Sequence, residues 1–436
     1  MRALLISANQ CIDPYPVYPL GMSIIARVLT DAGWEVVQRD VLVHKVEGIE
    51  KTLQMSFDLI GISIRNIDTV SSTAGDTTFV GIVFELVEMC RKYSSAPVVL
   101  GGSGFTLYPD ALMQRSQADY GIAGEGEKGI LTLLDMLKKN ERKPTVIRAG
   151  NSVQRPALYD EEILDFYYQK THMISMQTKR GCPFNCIYCT YPALEGRVVR
   201  GREKNTIFDQ ISEYHEKYPE ALFFFVDSIF NDSQGEYKNF LYEMNKRCGK
   251  IPFSCFITPE ALTCQDIDLL HESGLVLADV GLDAATDITL RGMGKGFTFD
   301  HALKCVRHMQ KLNIGLSCSV MFGGPGETGE TLEEGIAHLH MLKPAVVSIF
   351  AGVRIIEGTP LYKLAGQKKM LPEDWDGLSP CYFFEEGLDR HYVHERLLAE
   401  FGNDQHILYP PDRVNKMLRT IHKIGYLQFR DFLGEQ

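Results

Sequence analysis

Three of the chain's eleven cysteines stand within eight residues, in Gly181-Cys182-Pro183-Phe184-Asn185-Cys186-Ile187-Tyr188-Cys189. The spacing is Cys-x3-Cys-x2-Cys. Thiolates suit zinc and iron–sulfur clusters. A zinc site normally adds a second Cys or His pair to reach four ligands, and no further CxxC or HxxxH stands in the chain. Electron-transfer [4Fe–4S] clusters use four Cys. Three thiolates on one short loop can hold three irons of such a cube and leave the fourth open to a substrate or cofactor. The loop therefore points to chemistry at an open iron. The other cysteines are scattered and the total is odd, which reads as buried small hydrophobes and not as a disulfide framework.

Such a loop needs a scaffold, and the flanking sequence supplies strand and helix signals in alternation. Strands are expected at His172–Thr178, Ala221–Asp227, Phe253–Ile257, Val276–Leu282, Gly315–Phe322 and Ala345–Phe350. Helical spacing covers Lys204–Lys217, Tyr237–Lys246, Pro259–Glu272, Phe299–Leu312 and Glu330–Leu342. Six strand–helix units imply a β/α barrel, whose active site lies at the C-terminal strand ends. The cysteine loop follows the first of these strands.

The first 140 residues alternate in the same way: strands at Ala3–Ser7, Glu35–Val43, Leu59–Ile64, Val98–Leu100 and Tyr120–Ala123, with helices at Gly21–Ala32, Phe79–Lys92 and Gly126–Lys138. This is the pattern of a doubly wound, Rossmann-like α/β domain. Its ligand loops are Gly61–Asn66, which contains Ser63 and Arg65, then Gly101-Gly102-Ser103-Gly104 and Gly124-Glu125-Gly126-Glu127. Glycines there allow close backbone approach to a ligand, or simply form tight turns. No GxGxxG follows the first strand, so a nicotinamide cofactor is disfavoured.

The chain has 436 residues, with 45 basic and 56 acidic side chains and a net charge of −11. That length suggests two or three domains, and the acidic balance argues against nucleic acid as a partner. No apolar run is long enough for an integral membrane segment, and the N-terminus lacks a signal-peptide pattern. A cytoplasmic location is expected.

The cysteine loop resembles that of the radical S-adenosylmethionine (SAM) superfamily, in which an aromatic residue, here Tyr188, precedes the third Cys. Over residues 1–365 the chain resembles the cobalamin-binding class of that superfamily. The supporting motifs are Pro19-Leu20-Gly21, Gly101-Gly102, Gly124-Glu125-Gly126-Glu127, Tyr191-Pro192, Gly196-Arg197-x-x-Arg200-x-Arg202, Gly323-Gly324-Pro325-Gly326-Glu327-Thr328 and Gly358-Thr359-Pro360-Leu361-Tyr362. The resemblance implies a cobalamin-binding domain over 1–140, a linker over 141–170, a partial (β/α)6 radical SAM barrel over 171–365, and a mostly helical region over 366–436 with helices at Asp389–Glu400 and Asp412–Tyr426. It implies three cofactors: a [4Fe–4S] cluster on Cys182, Cys186 and Cys189, SAM, and cobalamin. Tyr188, Asp227, Asp283, Lys295, Gly323 and Gly324 are the implied SAM contacts. Ser63, Arg65, Gly101, Gly102, Gly124 and Glu125 are the implied cobalamin contacts. Asp283 stands in Gly281-Leu282-Asp283-Ala284, where the family usually has Gly-x-Glu-Ser. The cobalamin motif Asp-x-His-x-x-Gly is absent, although Asp40 and His44 lie in the corresponding stretch. Arg65 is then the candidate beneath the corrin, with a solvated side chain or a salt bridge to Asp68 as the alternative.

The implied activity is methyl transfer to an unactivated carbon, through methylcobalamin and a 5′-deoxyadenosyl radical. A cyclase or ring-rearranging enzyme of the same class is the main alternative. A methylthiotransferase and a non-catalytic iron–sulfur carrier fit less well. The implied partners are an electron donor such as flavodoxin or ferredoxin and a small-molecule, lipid or natural-product substrate.

Overall fold

The computed structural model describes residues 1–12, 15–69, 72, 78–140, 144–151 and 155–411. The helix expected at 412–426 lies outside them. Two parallel sheets carry the fold. In the first, β1 (Arg2–Ser7), β2 (Glu35–Asp40), β3 (Leu59–Ser63), β4 (Val98–Gly101), β5 (Tyr120–Gly124) and β6 (Thr145–Ala149) lie in the order β2-β1-β3-β4-β5-β6. The central strands are buried on both faces, as their unbroken apolar runs require. Strand order reverses between β1 and β3, and a doubly wound sheet binds its ligand at that crevice.

Two elements depart from the sequence reading. The strand expected over Glu35–Val43 stops at Asp40, whose carboxylate accepts from the Leu42 and Val43 backbone N–H at 2.9 and 3.2 Å and caps a helix over Val41–Thr52. The stretch read as a linker over 141–170 holds β6, at the sheet edge, and a helix over Glu161–Thr171 capped by Asp160. The short edge strand is half exposed, so it carries little apolar signal.

The second sheet runs β7 (Met173–Met176), β8 (Leu222–Phe225), β9 (Phe253–Ile257), β10 (Leu275–Asp283), β11 (Gly315–Phe322), β12 (Val346–Ala351) and β13 (Ile407–Leu408), in that order. The six expected strands are present. The seventh, a two-residue strand, comes from the C-terminal region, which also supplies the helix Arg390–Phe401. Along β10 to β12 the outward residues are buried against the helices: Ala278, Val280 and Leu282, then Cys318, Val320 and Phe322, then Val347 and Ile349. The inward residues are only partly buried. Barrel interiors are ordinarily filled by bulky branched side chains. Here one cross-strand row reads Phe256–Asp279–Ser317–Val346 and the next Gly281–Ser319–Ser348. Small and polar residues leave this barrel hollow. Among the described residues, no helix is long and apolar enough to cross a membrane.

The two sheets are tied by buried charge. Arg354, beyond β12, donates from Nε to Asp68 Oδ2, beyond β3, at 2.9 Å, its Nη2 lies 2.8 Å from the same oxygen, and both side chains are buried. Removing one member of such a pair leaves the other buried without its counter-charge, which costs about 3–5 kcal/mol. Arg354→Ala and Asp68→Ala should each lose stability on that scale, and the double variant should lose clearly less than the sum. Chemical denaturation of the four proteins reads this directly.

Candidate active site

The cysteine loop is held on several sides. Gly181 adopts φ +95°, and a Cβ there would lie 2.1 Å from the Val198 carbonyl oxygen, so only glycine fits this turn. Cys182 N–H donates to Gly196 O at 3.1 Å, Ile187 N–H to Met293 O at 3.1 Å, and Leu361 N–H to Ile187 O at 2.9 Å. The Gly358-Thr359-Pro360-Leu361-Tyr362 motif thus braces the loop through the first turn of its helix. Burial pushes the Cys182 thiol up, against a hydrogen bond from the Phe184 N–H. It pushes Cys189 up to about 12, against one from the Tyr191 N–H. Each of these two thiols also feels Cys186 electrostatically. Buried thiols with N–H donors aimed at sulfur are poised to become thiolates once a metal supplies the missing positive charge.

Beside the loop, three residues read separately from the sequence come together. Tyr188 donates to Asp283 Oδ2 at 2.6 Å, Lys295 pairs with the same carboxylate, and Ser319 donates to its Oδ1 at 3.1 Å. Asp283 has φ +62° and follows a register shift between β10 and β11. Such a bulge re-aims a side chain. Burial works against the Lys295 ammonium, but Asp283 and Cys186 more than offset it and hold its pKa above the ordinary lysine value.

Three sequence readings need correction. Asp227 is fully buried and does not line the cavity. Its carboxylate accepts from Thr178 N–H at 2.6 Å and Lys179 N–H at 3.1 Å, with the Thr178 hydroxyl and the Lys179 ammonium alongside. It fixes the chain leaving β7 and has no oxygen left for SAM. Gly323 and Gly324 are also absent from the cavity wall. Added Cβ atoms would meet the Phe384 ring at 2.6 Å and the Met293 sulfur at 2.9 Å, so the turn packs against the Cys381–Phe384 segment and supports Met293. Glu125 lines the cavity, but its buried carboxylate pairs with Arg200 at 2.5 Å and lies 3.6 Å from Arg180. Its neighbour Glu127 pairs with Arg180 at 2.9 Å and faces Arg202 at 3.8 Å. The Gly-Glu-Gly-Glu loop and the Gly-Arg-x-x-Arg-x-Arg segment are therefore two halves of one network between the sheets. Gln177 and Glu195 extend it to the cysteine loop, where Gly181 N–H donates to Glu195 at 3.2 Å.

Ser63, Arg65, Gly101, Gly102 and Gly124 do line the cavity, at the C-terminal ends of β3, β4 and β5. Gly102 and Gly124 are required by the protein itself. Both have positive φ, and their Cβ atoms would strike Ile64 O at 2.4 Å and Ala149 O at 2.1 Å. Gly101 differs, with nothing closer than 3.8 Å, so its lack of a side chain keeps the cavity floor clear. Arg65 is exposed to the cavity, and its charge acts on the phenols of Tyr15, Tyr167 and Tyr191. Its expected alternative partner, Asp68, is taken by Arg354. His44 lies off the cavity, with Nδ1 against the Asp40 backbone and Nε2 3.4 Å from Glu162.

One cavity of about 2570 Å³ joins the glycine floor, the cysteines and the barrel interior. Pockets for a single drug-sized ligand are roughly 300–1000 Å³, so there is room for several large molecules at once. Sequence reasoning missed the residues deep in this chamber, Asp279, Ser317 and Ser348, and also Tyr15. The available signal was the small-polar alternation along β10 to β12.

The buried Glu327 generates a pH dependence. Burial pushes its carboxyl from 4.5 to about 7, against hydrogen bonds from Thr331 and the Gly323 N–H. The folded protein keeps this proton where the unfolded chain has lost it. The contribution is therefore full below pH 4.5 and disappears as pH rises through 7, a loss of about 3 kcal/mol. Glu327→Gln should flatten the stability profile between pH 4.5 and 7.5, measured by denaturant titration at each pH.

Two family models match the chain: the B12 binding domain over residues 13–134 and the radical SAM superfamily over residues 176–339. The tryptophan 2-C-methyltransferase of Streptomyces laurentii is 24% identical, over 86% of this chain and 75% of its own length. The bacteriochlorophyllide d C-8(2)-methyltransferase of Chlorobaculum tepidum is 25% identical, over 69% and 71%. In fold, the chain is similar to the radical S-adenosylmethionine methyltransferase TsrM from Kitasatospora setae, solved with cobalamin and a [4Fe-4S] cluster bound, with a TM-score of 0.82 and 23% identity over 99% of this chain and 98% of that one. With a B12-binding sheet and a radical SAM barrel opening on one chamber, the chain belongs to the cobalamin-binding radical SAM enzymes.

Proposed function

We propose that the protein is a cobalamin-dependent radical SAM methyltransferase acting on a small molecule. The observation that carries this reading is the shared chamber: the cysteine loop and the glycine floor at the ends of β3 to β5 face the same space. Activating a substrate carbon from one cofactor and methylating it from the other would require both to reach that carbon, which a shared chamber allows. In this reading the cobalamin-binding part comprises the β1–β6 sheet, and the SAM-binding part the β7–β13 barrel.

The residues present fit the three groups. Cys182, Cys186 and Cys189 would hold the cluster, with N–H donors already on two of the sulfurs. Tyr188, Asp283 and Lys295 would form the polar seat for the amino acid end of SAM, next to Cys186. Ser63, Gly101, Gly102 and Gly124 would form the bed for cobalamin, with Arg65 beneath it. When bound, the cluster with SAM supplies one-electron cleavage of a sulfonium and cobalamin carries the methyl group, while the protein orients the reactants and excludes water. Glu125 and Glu127 keep the glycine loop and the cysteine loop in fixed relation. Reducing the cluster calls for an external donor of flavodoxin or ferredoxin type.

Anaerobically reconstituted protein should bind about four irons and four sulfides, and with SAM and reductant it should form S-adenosylhomocysteine together with methylated cobalamin. Replacing Cys182, Cys186 and Cys189 together by Ala should abolish the cluster and all reductive SAM cleavage, whereas Cys248→Ala or Cys305→Ala should change neither. A cluster that survives the triple replacement, by iron analysis and Mössbauer spectroscopy, would sink the assignment.

Arg65 makes a second test. A guanidinium stays protonated and cannot coordinate cobalt. A cation beneath the corrin disfavours a lower ligand and eases reduction of the cobalt. The cob(II)alamin form should give an electron paramagnetic resonance spectrum without nitrogen superhyperfine splitting, altered by Arg65→Ala. Imidazole coupling would refute this and point back to His44.

A further inference from the structure

Midway down the barrel stands a carboxylate that the cofactors do not account for. Asp279 lies on the inward face of β10, four residues before Asp283, so about 13 Å of strand separates them. Both line the cavity. Asp283, the other acid on the inward face of β10, is partnered by Lys295. Ser317, its cross-strand neighbour, is the polar group that acts on the Asp279 carboxylate, and no cation acts on it among the described residues. Withdrawing a carboxylate from bulk water without a counter-charge is costly, the partly buried Asp279 bears part of that cost, and a packed barrel would place an apolar side chain here.

Its surroundings are those of a binding site. Phe256, the neighbour on the other side, exposes its ring to the cavity. Phe224 adds aromatic wall one inward row below, Phe350 two rows nearer the mouth, and Ser317, Ser319 and Ser348 add hydroxyls. Aromatic faces and a carboxylate together suit a cation on an apolar body. Burial pushes the Asp279 carboxyl up to about 6, which still leaves it ionised at neutral pH. From the other sheet, Tyr15 reaches this region. Burial raises its phenol pKa, Asp279 raises it further and Arg65 opposes.

We propose that the hollow of the barrel is the substrate subsite, and that Asp279 binds a basic nitrogen of a substrate whose apolar part rests on Phe224, Phe256 and Phe350. This rests on the reading of the barrel mouth as the SAM site and names the chemistry of the substrate beneath it. Asp279 then sets specificity: it anchors the substrate at a fixed depth, so that the carbon presented at the mouth is determined by its distance from the nitrogen.

The test is equilibrium dialysis of the reconstituted holoprotein, with hydroxocobalamin and oxidised cluster, against 2-phenylethylamine, 2-phenylethanol and 3-phenylpropionate. The amine should bind at least about tenfold more tightly than the alcohol, in keeping with a charge-assisted hydrogen bond in a buried site, and the carboxylate should bind most weakly. Asp279→Asn should bring amine and alcohol within about twofold. If that variant fails to retain cobalamin, Asp279→Ser removes the charge with less bulk. No measurable binding of the amine, equal binding of the three probes, or a preference that survives loss of the charge would overturn the proposal. The measurement uses neither SAM nor reductant, so a failure of methyl transfer leaves its outcome separate.

Discussion

The working geometry depends on one buried set of charges, the pairing of Glu125 and Glu127 with Arg180, Arg200 and Arg202. Buried ion pairs rarely stabilise a protein more than apolar packing of the same volume would, because desolvation offsets their attraction. What they impose is registry. A guanidinium fork accepts a carboxylate in few orientations, and a one-residue slip would leave several charges unpaired out of water. The glycine loop at the end of β5 and the segment around Arg180 that leads into the cysteine loop are thereby locked to each other. Asp68 with Arg354 repeats the device on the far side of the interface. A reaction that moves a one-carbon group between two large cofactors tolerates little play, and positioning contributes a large share of such a barrier.

Much of this was legible in the sequence, for identifiable reasons. The strands of both sheets are short apolar runs between helices of ordinary length, and a parallel sheet buried on both faces produces such runs. The cysteine loop was legible because three thiols at that spacing have few other uses. Asp227 misled because a carboxylate at a strand end looks the same in sequence whether it faces a ligand or the backbone of the adjacent strand. Gly323 and Gly324 misled for a related reason: glycine marks close approach without saying what approaches, and here it is the Phe384 ring and Met293. Glu125 was placed at the right cavity, but its arginine partners lie some 55 to 75 residues away in the chain and no local signal connects them.

The interior of the barrel was missed for the opposite reason. Its residues are unremarkable one at a time. Gly281, Ser317, Ser319 and Ser348 gain meaning only when cross-strand registry stacks them into rows. The outward residues of these strands carry the hydrophobic signal, while the cavity-lining Gly281, Ser317, Ser319 and Ser348 occupy alternate positions and carry none.

One wall of the chamber does not belong to the barrel. Tyr15, from the loop after β1, packs with Met173, Leu222 and Phe224 at the edge of the second sheet. That edge is apolar, and Tyr15 of the first module packs against it. The barrel is thus not a self-sufficient unit to which a cobalamin module has been appended. Cut free, it would lose the Tyr15 ring from Met173, Leu222 and Phe224 beside the edge strand β7, and apolar surface at a sheet edge is prone to aggregate. The two modules share a wall as well as a cavity, and a change of substrate can be written into a loop of the module that never touches the iron.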